Sequence, residues 1–82
     1  MNPVPLTKVP AGRTVRVVSV SGGPGFLRKL SAMGIVPGAV FEVVQSPASA
    51  GIFRGPVIVK KGGFKTGLGW GMASRISVEV IS

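Results

Sequence analysis

A mainly β fold, a small closed barrel of five short strands with a short α-helix inserted between the first and second, is what this sequence predicts. Three observations predict it. Val and Ile dominate an apolar set that makes up 45% of the chain. Their runs are short and are separated by Gly and Pro, 13 and 7 residues respectively, the pattern of strands joined by turns. A flat sheet of such strands would expose adhesive edges, which closure into a barrel removes. The 82 residues fit one domain spanning 1–82, with no composition shift, internal repeat or low-complexity tail.

The elements follow in order. Val4-Pro5-Leu6 and Val9-Pro10-Ala11-Gly12 read as an extended lead-in closed by a turn, because proline withholds the backbone donors a helix needs. The first strand is predicted over 13–20. Its apolar parity switches from Val15 and Val17 to Val18 and Val20, which predicts a bulge or strong bend. Gly22-Gly23-Pro24-Gly25 then opens a helix on which Phe26, Leu30 and Met33 share one face. Pro24 suits its first position, Gly34 its left-handed stop, and Ile35 folds back over the last turn.

Pro37-Gly38 fits the centre of a type II turn into a second strand at 39–45, with Phe41 and Val43 on one face. Residues 46–55 read as a small-residue loop, followed by a third strand at 56–60. A hairpin at Lys61-Gly62-Gly63 returns as a fourth strand, in which Phe64, Thr66, Leu68 and Trp70 alternate with Lys65, Gly67 and Gly69. A tight turn around residues 71–75 leads to the fifth, with Ile76, Val78 and Val80 on one face.

Composition removes most chemistry. The chain has no Cys and no His, which excludes disulfides, thiolate or imidazole metal sites and the triads built on them. Two carboxylates, Glu42 and Glu79, cannot complete a metal site in a single copy, so no metal or other cofactor and no catalytic residue is expected. The longest uncharged stretch, 30–41, falls short of the ~20 apolar residues of a membrane span. Met1-Asn2-Pro3-Val4-Pro5 offers no basic stretch leading into an apolar one, so a cytoplasmic protein without membrane insertion is expected. A domain of this size buries roughly two thirds of its unfolded surface and leaves little interior for a ligand cavity. Function is therefore expected on the exterior, where ten Lys and Arg against two acids give a net charge of +8 and favour an anionic partner.

LRKLSAMGIVPGA at 27–39, followed by Phe41-Glu42-Val43, resembles the signature of the FeoA family, and the flanks agree. They are Pro5-Leu6 and Ala11-Gly12, Ser21-Gly22-Gly23, Gly55-Pro56-Val57, and Leu68, Ala73, Ile76 and Val78. The resemblance covers nearly the whole chain. It implies an SH3-like barrel with an inserted helix and a bacterial cytosolic role in ferrous iron uptake, as accessory to FeoB, the membrane permease with a cytosolic GTP-binding domain. Similar domains end iron-dependent repressors of the DtxR type, but no helix-turn-helix accompanies this one. The chain departs from the family at Gly67-Leu68-Gly69-Trp70-Gly71-Met72, where relatives carry polar or charged residues before the Ala, so a contact surface there is expected to differ.

The residues singled out for partner binding are Arg28 and Lys29 on the exposed helix face, Ile52, Phe53 and Arg54 late in the 46–55 loop, and Trp70 between two glycines. Each has a plainer reading. Arg28, Lys29 and the lysines at 60, 61 and 65 could be a solvated basic surface. Trp70 shares parity with Phe64 and Leu68 and so suits core or rim packing as well as an anchor role. Ile52 and Phe53 are expected at the surface because a long loop runs there. The Gly22-Gly23-Pro24-Gly25 loop lacks the Gly-Lys-Ser/Thr ending of a P-loop and reads as a turn that aims the helix. A nucleic-acid-binding barrel is the runner-up; its weakness is that the aromatic residues mostly carry core parity and leave few stacking platforms. Weak self-association is a third reading.

Overall fold

The computed structural model describes residues 2–51 and 54–82. Among them six strands form one antiparallel sheet: β1 (Val4–Pro5), β2 (Thr14–Val20), β3 (Val40–Gln45), β4 (Val57–Lys61), β5 (Phe64–Leu68) and β6 (Ile76–Val80). Their order is β1-β6-β2-β3-β4-β5. The additional strand is the proline-rich lead-in, whose extended backbone pairs Val4 with Val78 and Pro5 with Ser77. The parity switch in β2 has the expected consequence, a register shift against β6 between Val17 and Ser19. Val15 and Val17 face inward, and Val18 turns out to solvent.

The inserted helix α1 (Pro24–Ala32) starts with Pro24 in its first turn and stops at Gly34, which holds φ +78°. The stop is a Schellman motif: the Ile35 N–H donates to the Leu30 carbonyl at 2.9 Å and the Gly34 N–H to the Ser31 carbonyl at 3.0 Å. This folds Ile35 under the helix beside Leu30, and both are buried. The type II turn then forms as read, with Gly38 at φ +91° and Ala39 N–H donating to the Val36 carbonyl at 3.0 Å. Leu30 and Ile35 thus belong to the same core as Val15, Val17, Phe41, Val43, Val57, Val59, Leu68, Ile76 and Val78.

Two sequence expectations are corrected. The stretch 46–55 is not simply a loop: α2 (Pro47–Ala50) is a single helical turn, capped by the Ser46 hydroxyl, which accepts from Ala48 N–H at 3.2 Å, and stopped by Gly51 at φ +71°. Ser46 and Pro47 are buried, and Ala11 N–H donates to Ser49 Oγ, so long-range contacts hold what local composition left open. The strand expected to run through Trp70 ends at Leu68, and Trp70 begins a second helical turn, α3 (Trp70–Ala73). Ala73 is fully buried there, and α3 packs on the 3-10 turn at Leu6–Lys8, an arrangement a continuing strand could not reach. The hydrogen-bonded ladder is linear, ending in β1 and β5. Side chains of the 3-10 turn and of α1 complete the interior, rather than a closing pair of strands.

Candidate partner-binding surface

No group of three or more His, Cys, Asp or Glu side chains that could hold a metal ion occurs among the described residues. No described helix is long and apolar enough to cross a membrane. What the fold does present is an uneven, strongly basic exterior. Glu79 is paired with Arg16 across β6 and β2. Glu42 lies opposite Lys60 in the β3–β4 register. Arg28 and Lys29 on α1 and Lys61 and Lys65 on the β4–β5 hairpin form no ion pair among the described residues.

The hairpin overshoots the core. Lys61 and Phe64 flank the two-residue turn Gly62-Gly63, in which Gly62 has φ +60°. Successive inward positions on β5 are Leu68 opposite Val57, Thr66 opposite Val59, and Phe64 opposite Lys61. Exposure rises along that series until Phe64 stands 80% exposed. Phe64 therefore has core parity without a core, a correction to the reading that parity buries it. The hairpin tip overhangs the stop of α1, where Lys61 Nζ lies 3.9 Å from the place a Cβ would take on Gly34. That sets a cation near the carbonyl end of the helix, the end that favours one. Between tip and helix lies an open apolar cleft of about 410 Å³, lined by Met33, Ile35, Phe41, Val59, Lys61 and Phe64 among others. The sequence reading expected little interior for a ligand cavity, and the space beneath this tip departs from it.

Of the residues singled out in the sequence, Arg28 and Lys29 are exposed on α1 and form no ion pair among the described residues. Leu27 beside them is 41% exposed, so this face is amphipathic. Arg54 and Trp70, far apart in sequence, are brought together: the guanidinium carbon sits 4.8 Å from the Trp70 ring centroid, in cation–π range. Trp70 is half-buried, which agrees with the rim reading and leaves part of its ring accessible. Ile52 and Phe53 lie outside the described residues. Sequence reasoning missed Phe64 and the cleft. The available signal was the polar identity of Lys61, the residue across the turn from Phe64.

A small β fold with buried apolar strands, a helix packed against the sheet and a basic, partly apolar rim defines a domain of SH3-like architecture. Comparison with known proteins places it further. The FeoA domain model matches residues 4–80, and the chain belongs to the FeoA family. A crystal structure of an iron uptake regulatory protein (FeoA) superposes with a TM-score of 0.82 at 34% identity, covering 96% of this chain and 99% of that one. The solution structure of a FeoA-like protein from Clostridium acetobutylicum gives 0.77 at 26% identity, over 100% of this chain and 91% of the other. A protein of Methanocaldococcus jannaschii, provisionally named Fe(2+) transport protein A, is 32% identical over 75 residues, 92% of this chain and 84% of that protein.

Proposed function

We propose that this protein is a non-enzymatic accessory of ferrous iron uptake that works in the cytosol by docking onto the GTP-binding portion of a FeoB-type permease and modulating transport. Family membership supports the pathway. The observation that carries the docking mode is the uncompensated basic surface, ten cations against two acids, set beside exposed apolar groups on a domain without a catalytic set. Long-range charge steers an acidic partner into encounter, and apolar anchors then supply the short-range affinity. Arg28 and Lys29 with Leu27 form one contact face and Trp70 with Arg54 forms another; Ile52 and Phe53, which precede Arg54 in the chain, complete the set of proposed contact residues.

Titration of the permease's cytosolic portion with this protein tests the reading. Changing Arg28 and Lys29 together to Glu is expected to weaken binding at least tenfold, about 1.4 kcal/mol. Trp70→Ala is expected to weaken it comparably if that ring is an anchor. Undiminished binding by the double charge reversal would remove the helix face from the proposal.

One observation favours the nucleic-acid alternative: Phe64 is an exposed aromatic ring among Lys60, Lys61 and Lys65. A single stacking platform is a thin basis for strand binding. An oligonucleotide titration that shows steep weakening with salt would favour this second reading.

A further inference from the structure

We propose that the free edge of β5 is a strand-addition site for an extended partner segment in which acidic and apolar residues alternate. The inference rests on the reading that the protein docks a partner, and it names the chemistry of the segment and the way it is held.

The two ends of the sheet differ. β1 is two residues long and contains Pro5 beside Pro3, so it is a blunted edge. β5 is five residues long, pairs with β4 in unbroken register, and contains no proline and a single charge. None of its backbone groups takes part in a hydrogen bond outside the β4 ladder among the described residues. The outward groups follow from the turn. A two-residue hairpin makes its flanking residues, Lys61 and Phe64, a hydrogen-bonded pair, and such pairs alternate along an antiparallel ladder. Val59↔Thr66 and Val57↔Leu68 are then hydrogen-bonded, while Lys60↔Lys65 and Ile58↔Gly67 are not. The N–H and C=O groups of Lys65 and Gly67 accordingly point away from β4, and both residues are exposed.

Each face of an added strand would meet a different chemistry. On the inner side its side chains would run beside Phe64 and Thr66, over the apolar cleft of about 410 Å³. On the outer side they would run beside Lys65, which stands directly opposite Lys60 in a non-hydrogen-bonded pair, where side chains are closest. Like charges so placed destabilise a sheet. Glu42, opposite Lys60 on its other side, offsets one of the two. A carboxylate on an incoming strand would offset Lys65. Charge complementarity thus selects an acidic segment, and it disfavours a second copy of a chain that carries +8.

The test is fluorescence anisotropy with a labelled hexapeptide alternating Glu with Leu and Val. Gly67→Pro removes one outward N–H without altering charge, and a side chain at Gly67 meets nothing within 4 Å. Wild type and Gly67→Ala are expected to bind alike, and Gly67→Pro about tenfold more weakly, as loss of one to two backbone hydrogen bonds implies. Lys65→Glu is expected to weaken binding as well, and added salt to weaken it in wild type. If Gly67→Pro does not fold, a hexapeptide N-methylated at alternate amides takes its place against wild type, and one of its two registers must fail to bind. Equal binding by wild type and a folded Gly67→Pro, or by both methylated registers, overturns the proposal. So does a dimer in sedimentation that Gly67→Pro abolishes while the peptide fails to bind, since the edge then serves a second copy. The permease's cytosolic portion is titrated in parallel. If it binds Gly67→Pro as it binds wild type, the edge proposal falls and docking stands. If it does not bind wild type while the peptide does, docking falls and the edge proposal stands.

Discussion

Gly34 joins helix, cleft and hairpin at one residue. Its φ of +78° costs an L-residue, while the space around it does not, since the nearest atom to an added Cβ is the Lys61 ammonium at 3.9 Å. Gly34→Ala is therefore expected to lower stability by about 1–2 kcal/mol through backbone strain alone, measured by urea unfolding with an unchanged m-value. Leu30, fully buried four residues before it, acts through packing instead. Leu30→Ala is expected to cost about 2–5 kcal/mol, enough to remove much of the stability of a domain this small. Phe64 inverts that relation. At 80% exposure, Phe64→Ser is expected to leave stability within about 0.5 kcal/mol of wild type in the same unfolding measurement, while weakening partner binding. A matching loss of stability would show the ring to be core after all.

Among elements, the β4–β5 hairpin is the one whose sequence is poorly explained by folding. Lys60 and Lys65 face each other across the ladder, and exchanging one for an acid would convert repulsion into attraction. Lys65→Glu is expected to raise stability by a few tenths of a kcal/mol, read as an upward shift in melting temperature, and to weaken binding of an acidic partner. That opposition is the signature of a residue kept for function at a cost in stability. The helix α2 behaves in the ordinary way. Ser46→Ala removes its cap and is expected to cost about 1 kcal/mol. The elements most legible in the sequence were those with a local rule: the Pro24 start and Gly34 stop of α1, the Pro37-Gly38 turn, and the bulge in β2. Those it concealed, α2 and α3, are single turns with no room for a periodic pattern, and their helical form is fixed by burial of Pro47 and Ala73 against other parts of the chain.

For the whole molecule the dominant property is charge. Ten cations on one small surface repel one another, and among the described residues Glu79 is the one carboxylate engaged in an ion pair. Screening of that self-repulsion is expected to raise the melting temperature as salt goes from low to physiological strength. The same salt should slow association with an acidic partner and leave dissociation less affected, which stopped-flow mixing would resolve. A melting temperature that falls with salt would mean that attractive pairs outweigh repulsion.

The sequence by itself determined the β class, the inserted helix with its two ends, the inward set of Val, Ile and Leu, the absence of Cys and His, and the sign of the surface. Each of these depends on residue type, on spacing within a turn or a strand, or on a simple count. Only the tertiary structure decided that Arg54 covers Trp70, that β5 is left as an edge, and that Phe64 hangs over a cleft instead of filling a core. Inward and outward parity is a property of one strand, but burial depends on whether another element reaches the same height. At the tip of the β4–β5 hairpin none of the described elements does, and Phe64 stays exposed.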